Sequence, residues 1–219
     1  MDLQFDKIVP YIPFIVEGIL VTLKFTVLST FFGFLLGIIL AFFKISTIKP
    51  LKWFGIAYTS IFRGTPLILQ IALIYFATPQ LLRYDIDPLL AGVIAFALNS
   101  AAYISETIRG GILAVDKGQR EAAMSLGVPY RKMMWHIVMP QAVKKILPAL
   151  ANESIALLKE SALVSTIGAM DLLRRATIVS SKTFLYFEPL ILVGGIFYVM
   201  VLILTSGARY LERRMQVSD

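Results

Sequence analysis

Two polar clusters interrupt apolar sequence and could meet a small solute: Asn99, Ser100 and Tyr103 in one segment, Asn152 and Glu153 in another. A carboxylate held far from water costs at least ~2.5 kcal/mol on insertion scales, so Glu153 requires either a cation or a task. A cationic solute would be both, and the rival is a purely structural pair with Lys24 or another buried cation. Other chemistry is narrowed by the residue types present. The chain has no cysteine, so disulfides, iron–sulfur clusters and cysteine metal sites are excluded, and nothing else points to a metal. Its one histidine, His136, belongs to no His-Glu-x-x-His pair and has no serine to activate. No Gly-x-x-x-x-Gly-Lys-Ser/Thr loop is available to cradle nucleotide phosphates, so the chain holds no cofactor of that kind itself.

The elements that must position these residues are membrane helices. Of 219 residues 58% are hydrophobic, and charge-free stretches cover 25–43, 64–82, 88–105 and 189–208. Each approaches the ~20 residues that cross ~30 Å of hydrocarbon. A fifth crossing is expected at 141–164, with its charges turned toward protein or a water-filled cavity. The fold class is therefore all-α integral membrane, about five transmembrane helices in one domain, 1–219. No cleavable leader is expected at the start, because Asp2 and Asp6 precede apolar sequence that runs on to Phe43.

Orientation follows from the basic residues. With the N-terminus outside, fourteen of the 21 lysines and arginines fall inside, and the C-terminus is cytoplasmic. The net charge of +7 flanks the spans without forming one patch, which fits lipid and argues against nucleic acid. Asn99 lies ten residues from Arg109 and Glu153 eight from Lys145, so both sit about 12–15 Å deep at 1.5 Å per residue. Asn99, Tyr103 and Glu106 share one helical face, and Glu153, Leu157 and Glu160 another. Lys159 and Glu160 read as structural pairing residues, and Glu106 with Arg109 as an intrahelical pair. The 161–170 stretch reads as re-entrant or interfacial, and Gly33 with Gly37 as a packing pair.

The longest inner loop runs from Arg109 to Lys145, and its 116–140 segment has strong local punctuation. Asp116 suits a helix N-cap before 117–126, Gly127 and Pro129 supply a stop, and a second helix 130–139 is expected to end at Pro140. The first helix offers Glu121, Ala122, Ala123, Leu126 and Gly127, a surface with little bulk that suits insertion into another protein's groove.

Glu121-Ala122-Ala123, Gly127, Ile137 and Met139-Pro140, at these offsets, resemble the EAA loop of binding-protein-dependent ABC importer permeases, with Met139 where leucine is usual. Arg63-Gly64-Thr65-Pro66-Leu67 to Gln70, Asn99 to Arg109-Gly110-Gly111, and Leu158 to Leu163 extend the resemblance to the polar amino acid branch, over roughly 15–212. Ala162 stands where serine is frequent. The resemblance implies a multi-pass plasma-membrane or inner-membrane permease that imports a polar amino acid. Its cytoplasmic coupling helix would dock a separate ABC ATPase subunit, which binds ATP and Mg. The other implied partners are a second permease subunit, most simply a homodimer, and an extracytoplasmic solute-binding protein; the chain itself is no enzyme. Glu153 narrows the expected solute to arginine, lysine or histidine, with Asn99, Ser100, Tyr103 and Asn152 contributing hydrogen bonds. The alternatives are a neutral or acidic amino acid, a proton-coupled secondary transporter that titrates Glu153, and a membrane scaffold that recruits partners through the loop.

Overall fold

Where lipid supplies no hydrogen bonds the backbone must satisfy itself, and helix is the only regular structure among the described residues, 3–216, of this computed structural model. After two short 3-10 turns come α1 (Ile12–Val16) and α2 (Gly18–Ile45), then α3 (Lys49–Gly64) and α4 (Leu67–Leu82). The central α5 (Pro88–Leu113) leads into the hairpin helices α6 (Lys117–Ser125) and α7 (Tyr130–Met133). α8 (Met139–Glu160), a 3-10 segment (Ser161–Ile167), α9 (Leu172–Thr183) and α10 (Phe187–Gln216) complete the chain.

Three helical stretches are long and apolar enough to cross a membrane: Phe5–Ile45, Pro88–Leu113 and Phe187–Arg214. The expected 64–82 crossing is not one straight span. α3 and α4 are bent by 102° at Thr65 and Pro66, and together they make a fourth crossing if counted as a broken span. The cause is local: Thr65 and Pro66 are extended, with ψ of 145° and 135°, and proline disfavours helix in the residue before it. α8 has the length of a fifth crossing, 22 residues, but carries Lys144, Lys145, Glu153, Lys159 and Glu160. It stops at Glu160 instead of running to 164.

α5 is the axis. Against it α2 lies close enough that a Cβ on Gly37 would sit 2.6 Å from Ile104 Cγ2, and one on Gly33 3.0 Å from Ser100 Cβ. The small-residue spacing thus sets the α2–α5 approach. Phe25 meets Phe96 edge to face at 4.8 Å, and Val164 and Ile167 of the 3-10 segment are buried in the same core, so that segment folds back into the bundle.

Pro140, expected to end a helix, does not, and Pro79 likewise lies inside one. Pro79 and Pro140 each lie two residues beyond a π-turn, Leu73–Ala77 and Met134–Val138. A proline ring clashes with the carbonyl four residues back, here that of Tyr75 or His136, and the wider π-turn displaces that carbonyl. Backbone from Tyr130 to Glu160 is therefore continuously helical, and Pro140 begins α8 instead of ending the second hairpin helix.

The hairpin itself follows the local signals. Asp116 Oδ1 accepts from Gly118 N at 2.6 Å and caps α6. Gly127, at φ 72°, lets Val128 N donate to Ala123 O at 3.0 Å, closing the helix in a left-handed cap. Arg120 Nη2 donates to Ile112 O at 2.6 Å and Lys145 Nζ to Ala114 O at 2.5 Å, tying the hairpin and α8 to the end of α5.

Candidate solute cavity

A cavity of about 600 Å³ opens where the α3–α4 break, α5 and α8 converge, lined by Thr65, Pro66, Asn99, Tyr103, Glu153 and Glu160 among others. Each wall follows from helical spacing. Asn99 and Tyr103, four apart, share a face of α5, while Glu153, Ala156 and Glu160 recur at three and four residues along α8.

The break wall is held by amides. Gln70 Nε2 donates to Phe62 O (2.9 Å), Thr65 O (3.2 Å) and Thr65 Oγ1 (2.8 Å). Asn99 Nδ2 donates to Phe62 O at 3.1 Å and to Gln70 Oε1 at 3.0 Å. These contacts satisfy carbonyls that the bend takes out of the helical ladder. Asn99 therefore lines the cavity with both donors already committed to the scaffold.

The residues singled out in the sequence are placed differently from one another. Asn99, Tyr103 and Glu153 line the same cavity. Ser100 is fully buried, packed against Gly33 of α2 and close to Glu153 of α8. Asn152 is exposed on α8 and is not part of this wall. Glu153 is partly buried and also lines a neighbouring hollow of about 470 Å³ with Thr30, Ser154 and Glu212.

No ion pair to Glu153 or Glu160 occurs among the described residues, and Lys24 is exposed on α2. Glu160, read from the sequence as a structural pairing residue, instead faces the cavity seven residues from Glu153. The signal was its shared helical face with Glu153. Behind the Tyr103 side chain, Arg63 Cζ lies 5.1 Å from the ring centroid.

Glu106 lies one turn beyond Tyr103, yet it belongs to another cluster. Its pair with Arg109 is present at 2.9 Å, and Lys44 of α2 joins it. Lys44 Nζ also donates to Thr59 Oγ1 at 3.2 Å, so this cluster ties α2, α3 and α5 together. A buried charge requires such company.

On the hairpin, Glu121, Ala122, Leu126 and Gly127 are exposed, with Leu126 at 83%. Ala123 turns inward and packs with Met133, Val138 and Ala142. His136 is exposed, its Nδ1 3.1 Å from Lys132 O.

The profile of the binding-protein-dependent transport system inner membrane component family matches residues 33–217. The arginine transport system permease protein ArtQ of Bacillus subtilis (strain 168) is 53% identical over 219 residues, covering 100% of both chains. The putative glutamine transport system permease protein GlnP of Rickettsia bellii (strain RML369-C) is 49% identical over 212 residues, covering 97% of each. A chain from a crystal structure of an amino acid ABC transporter with histidines is 46% identical, with a TM-score of 0.94 over 98% of this chain and 100% of that one.

Proposed function

Because the chain belongs to the family of binding-protein-dependent transport system inner membrane components, we propose that it is the permease subunit of an ATP-driven importer of amino acids with a positively charged side chain. The observation that carries the cationic reading is the pair Glu153 and Glu160 on one cavity wall, neither with an ion-pair partner among the described residues. A solute ammonium or guanidinium would neutralise the carboxylates where helices limit access to water. Tyr103 and the Thr65 hydroxyl would orient it, and Asn99 would hold the wall in shape. Relatives named for arginine and for histidines support this reading.

The proposed assembly pairs two permease copies, each engaging one ATPase that binds ATP and Mg, with an extracytoplasmic binding protein delivering solute. In it the exposed Glu121, Ala122, Leu126 and Gly127 meet the ATPase, and Ala123 packs beneath them. In this reading the hairpin is cytoplasmic and the N-terminus outside, which the distribution of basic residues supports. A second reading is a neutral amide solute, favoured by the relative named for glutamine.

Glu153→Gln tests the choice in vesicles carrying permease, ATPase and binding protein. Arginine uptake should fall roughly tenfold to a hundredfold, the scale of one hydrogen bond to a charged group, while glutamine uptake changes little. Equal losses would remove the cationic reading, and uptake sustained by a proton gradient without ATP would remove the ATPase.

A further inference from the structure

A third hollow, of about 360 Å³ and lined almost wholly by hydrocarbon, runs along the hairpin end of the bundle. One wall is α2 from Phe34 to Ile45, and the facing wall is α8 from Met139 to Leu150. Each wall advances eleven residues, about 16 Å at 1.5 Å per residue. That is close to half of the ~30 Å hydrocarbon core, the depth of a single leaflet. The groove is as long as one acyl chain in its own leaflet.

The mouth has the chemistry of a membrane interface. Tyr130 and Trp135 line it and are 73% and 59% exposed, two amphipathic rings of the kind that sit at headgroup level. Arg131 and Lys132, both exposed, follow Tyr130 directly, and Lys49 and Lys52 lie at the start of α3, within seven residues of Ile45. Acids are missing from the same sequence: none occurs at positions 18–84 or 122–152, which supply α2, α7, the π-turn and the lining half of α8. On α5, Glu106 is already held by Lys44 and Arg109.

We propose that this groove is a binding site for an anionic phospholipid, one acyl chain lying between α2 and α8 and the phosphate held by Arg131 and Lys132. A neutral lipid would fill the groove equally well but would leave Arg131 and Lys132 without a counter-charge on their own helix, the nearest acid along the chain being Glu121 on α6. Each cation near a membrane surface contributes roughly a fivefold preference for an anionic headgroup. Through Met134 and Trp135 the lipid would touch the π-turn that joins the hairpin to α8.

The chain has two tryptophans, so Trp53→Phe leaves Trp135 as a reporter inside the proposed site. The full-length variant is placed in phosphatidylcholine vesicles containing a minor fraction of phosphatidylglycerol, with bromine on the acyl chains of one lipid or the other. At equal mole fraction, brominated phosphatidylglycerol should quench Trp135 more strongly. Arg131→Gln with Lys132→Gln should reduce that preference by roughly fivefold per charge, without loss of quenching by phosphatidylcholine. Equal quenching by the two lipids before the charges are removed would overturn the proposal. Val143→Cys supplies a second test, since it would be the chain's one cysteine on the groove wall. Disulfide-linked dimers forming in these vesicles would put a second copy where the lipid is proposed, which also overturns it, whereas monomers accord with it.

Discussion

The side chains of Asn99 and Gln70 meet at 3.0 Å, and both amides reach back to Phe62 O, so α5 and α4 together hold open the end of α3. Both residues are 8% exposed. Asn99→Ala should leave Gln70 Oε1 without this donor and cost about 1–3 kcal/mol, the usual penalty for an unsatisfied buried polar group. Gln70→Ala should cost a similar amount. Because they share one network, the double variant should lose less than the sum, and thermal unfolding in detergent of the four proteins measures the difference.

Glu160 shares the cavity wall with Glu153 but is the more exposed of the two. Glu160→Gln should weaken arginine uptake in the same direction as Glu153→Gln and by a smaller factor, since exposed charge is better screened by water. Raising salt should lessen the effect of Glu160→Gln more than that of Glu153→Gln. Uptake measured for both variants at low and high ionic strength checks the order.

At Gly127 φ is +72°, and a Cβ there would meet nothing within 4 Å. Substitution is therefore opposed by backbone strain, about 1–2 kcal/mol for a residue with a side chain, and not by crowding inside the chain. Gly127→Leu adds bulk to the exposed end of α6, so ATPase co-purification should fall sharply while membrane insertion persists. Gly127→Asn tolerates the left-handed conformation and should retain most of it.

Asp171 lies outside the spanning helices, where Oδ1 caps α9 by accepting from Arg174 N at 2.8 Å and Oδ2 is buried with no hydrogen-bond partner among the described residues. Burial pushes its carboxyl from 3.8 up to about 6, against the opposing pull of backbone hydrogen bonds. A proton is thus held more tightly in the folded chain. The associated stability is complete below pH 3.8 and is lost as pH rises through 6, an upper limit on the order of 3 kcal/mol. Asp171→Asn keeps the cap and removes the charge. It should unfold at a higher temperature than the parent at pH 7.5, with the gap narrowing toward pH 4.5; a pH-independent gap would contradict the assignment.

The sequence by itself determined what depends on composition and on neighbours along the chain. Long apolar stretches required helices in a bilayer, and the hairpin caps at Asp116 and Gly127 form where those residue types favour them, because capping acts over two to five residues. The Glu106–Arg109 pair was legible for the same reason, as one turn of helix joins them. Asn99, Tyr103 and Glu153 could be placed on inward faces, and they do share a cavity.

Only the tertiary structure decided what those faces meet. Lys44 joins Glu106 from 62 residues away, and Ser100 turns to Gly33 while its neighbour Asn99 turns to Gln70. Glu160 shares a helical face with Glu153, a spacing legible in α8, but that this face lines a cavity was decided by the convergence of α8 with the α3–α4 break. Pro79 and Pro140 interrupt nothing, since a π-turn upstream of each moves the opposing carbonyl aside. These outcomes depend on contacts between distant segments, whose geometry is set when helices pack and is not encoded in local residue preference.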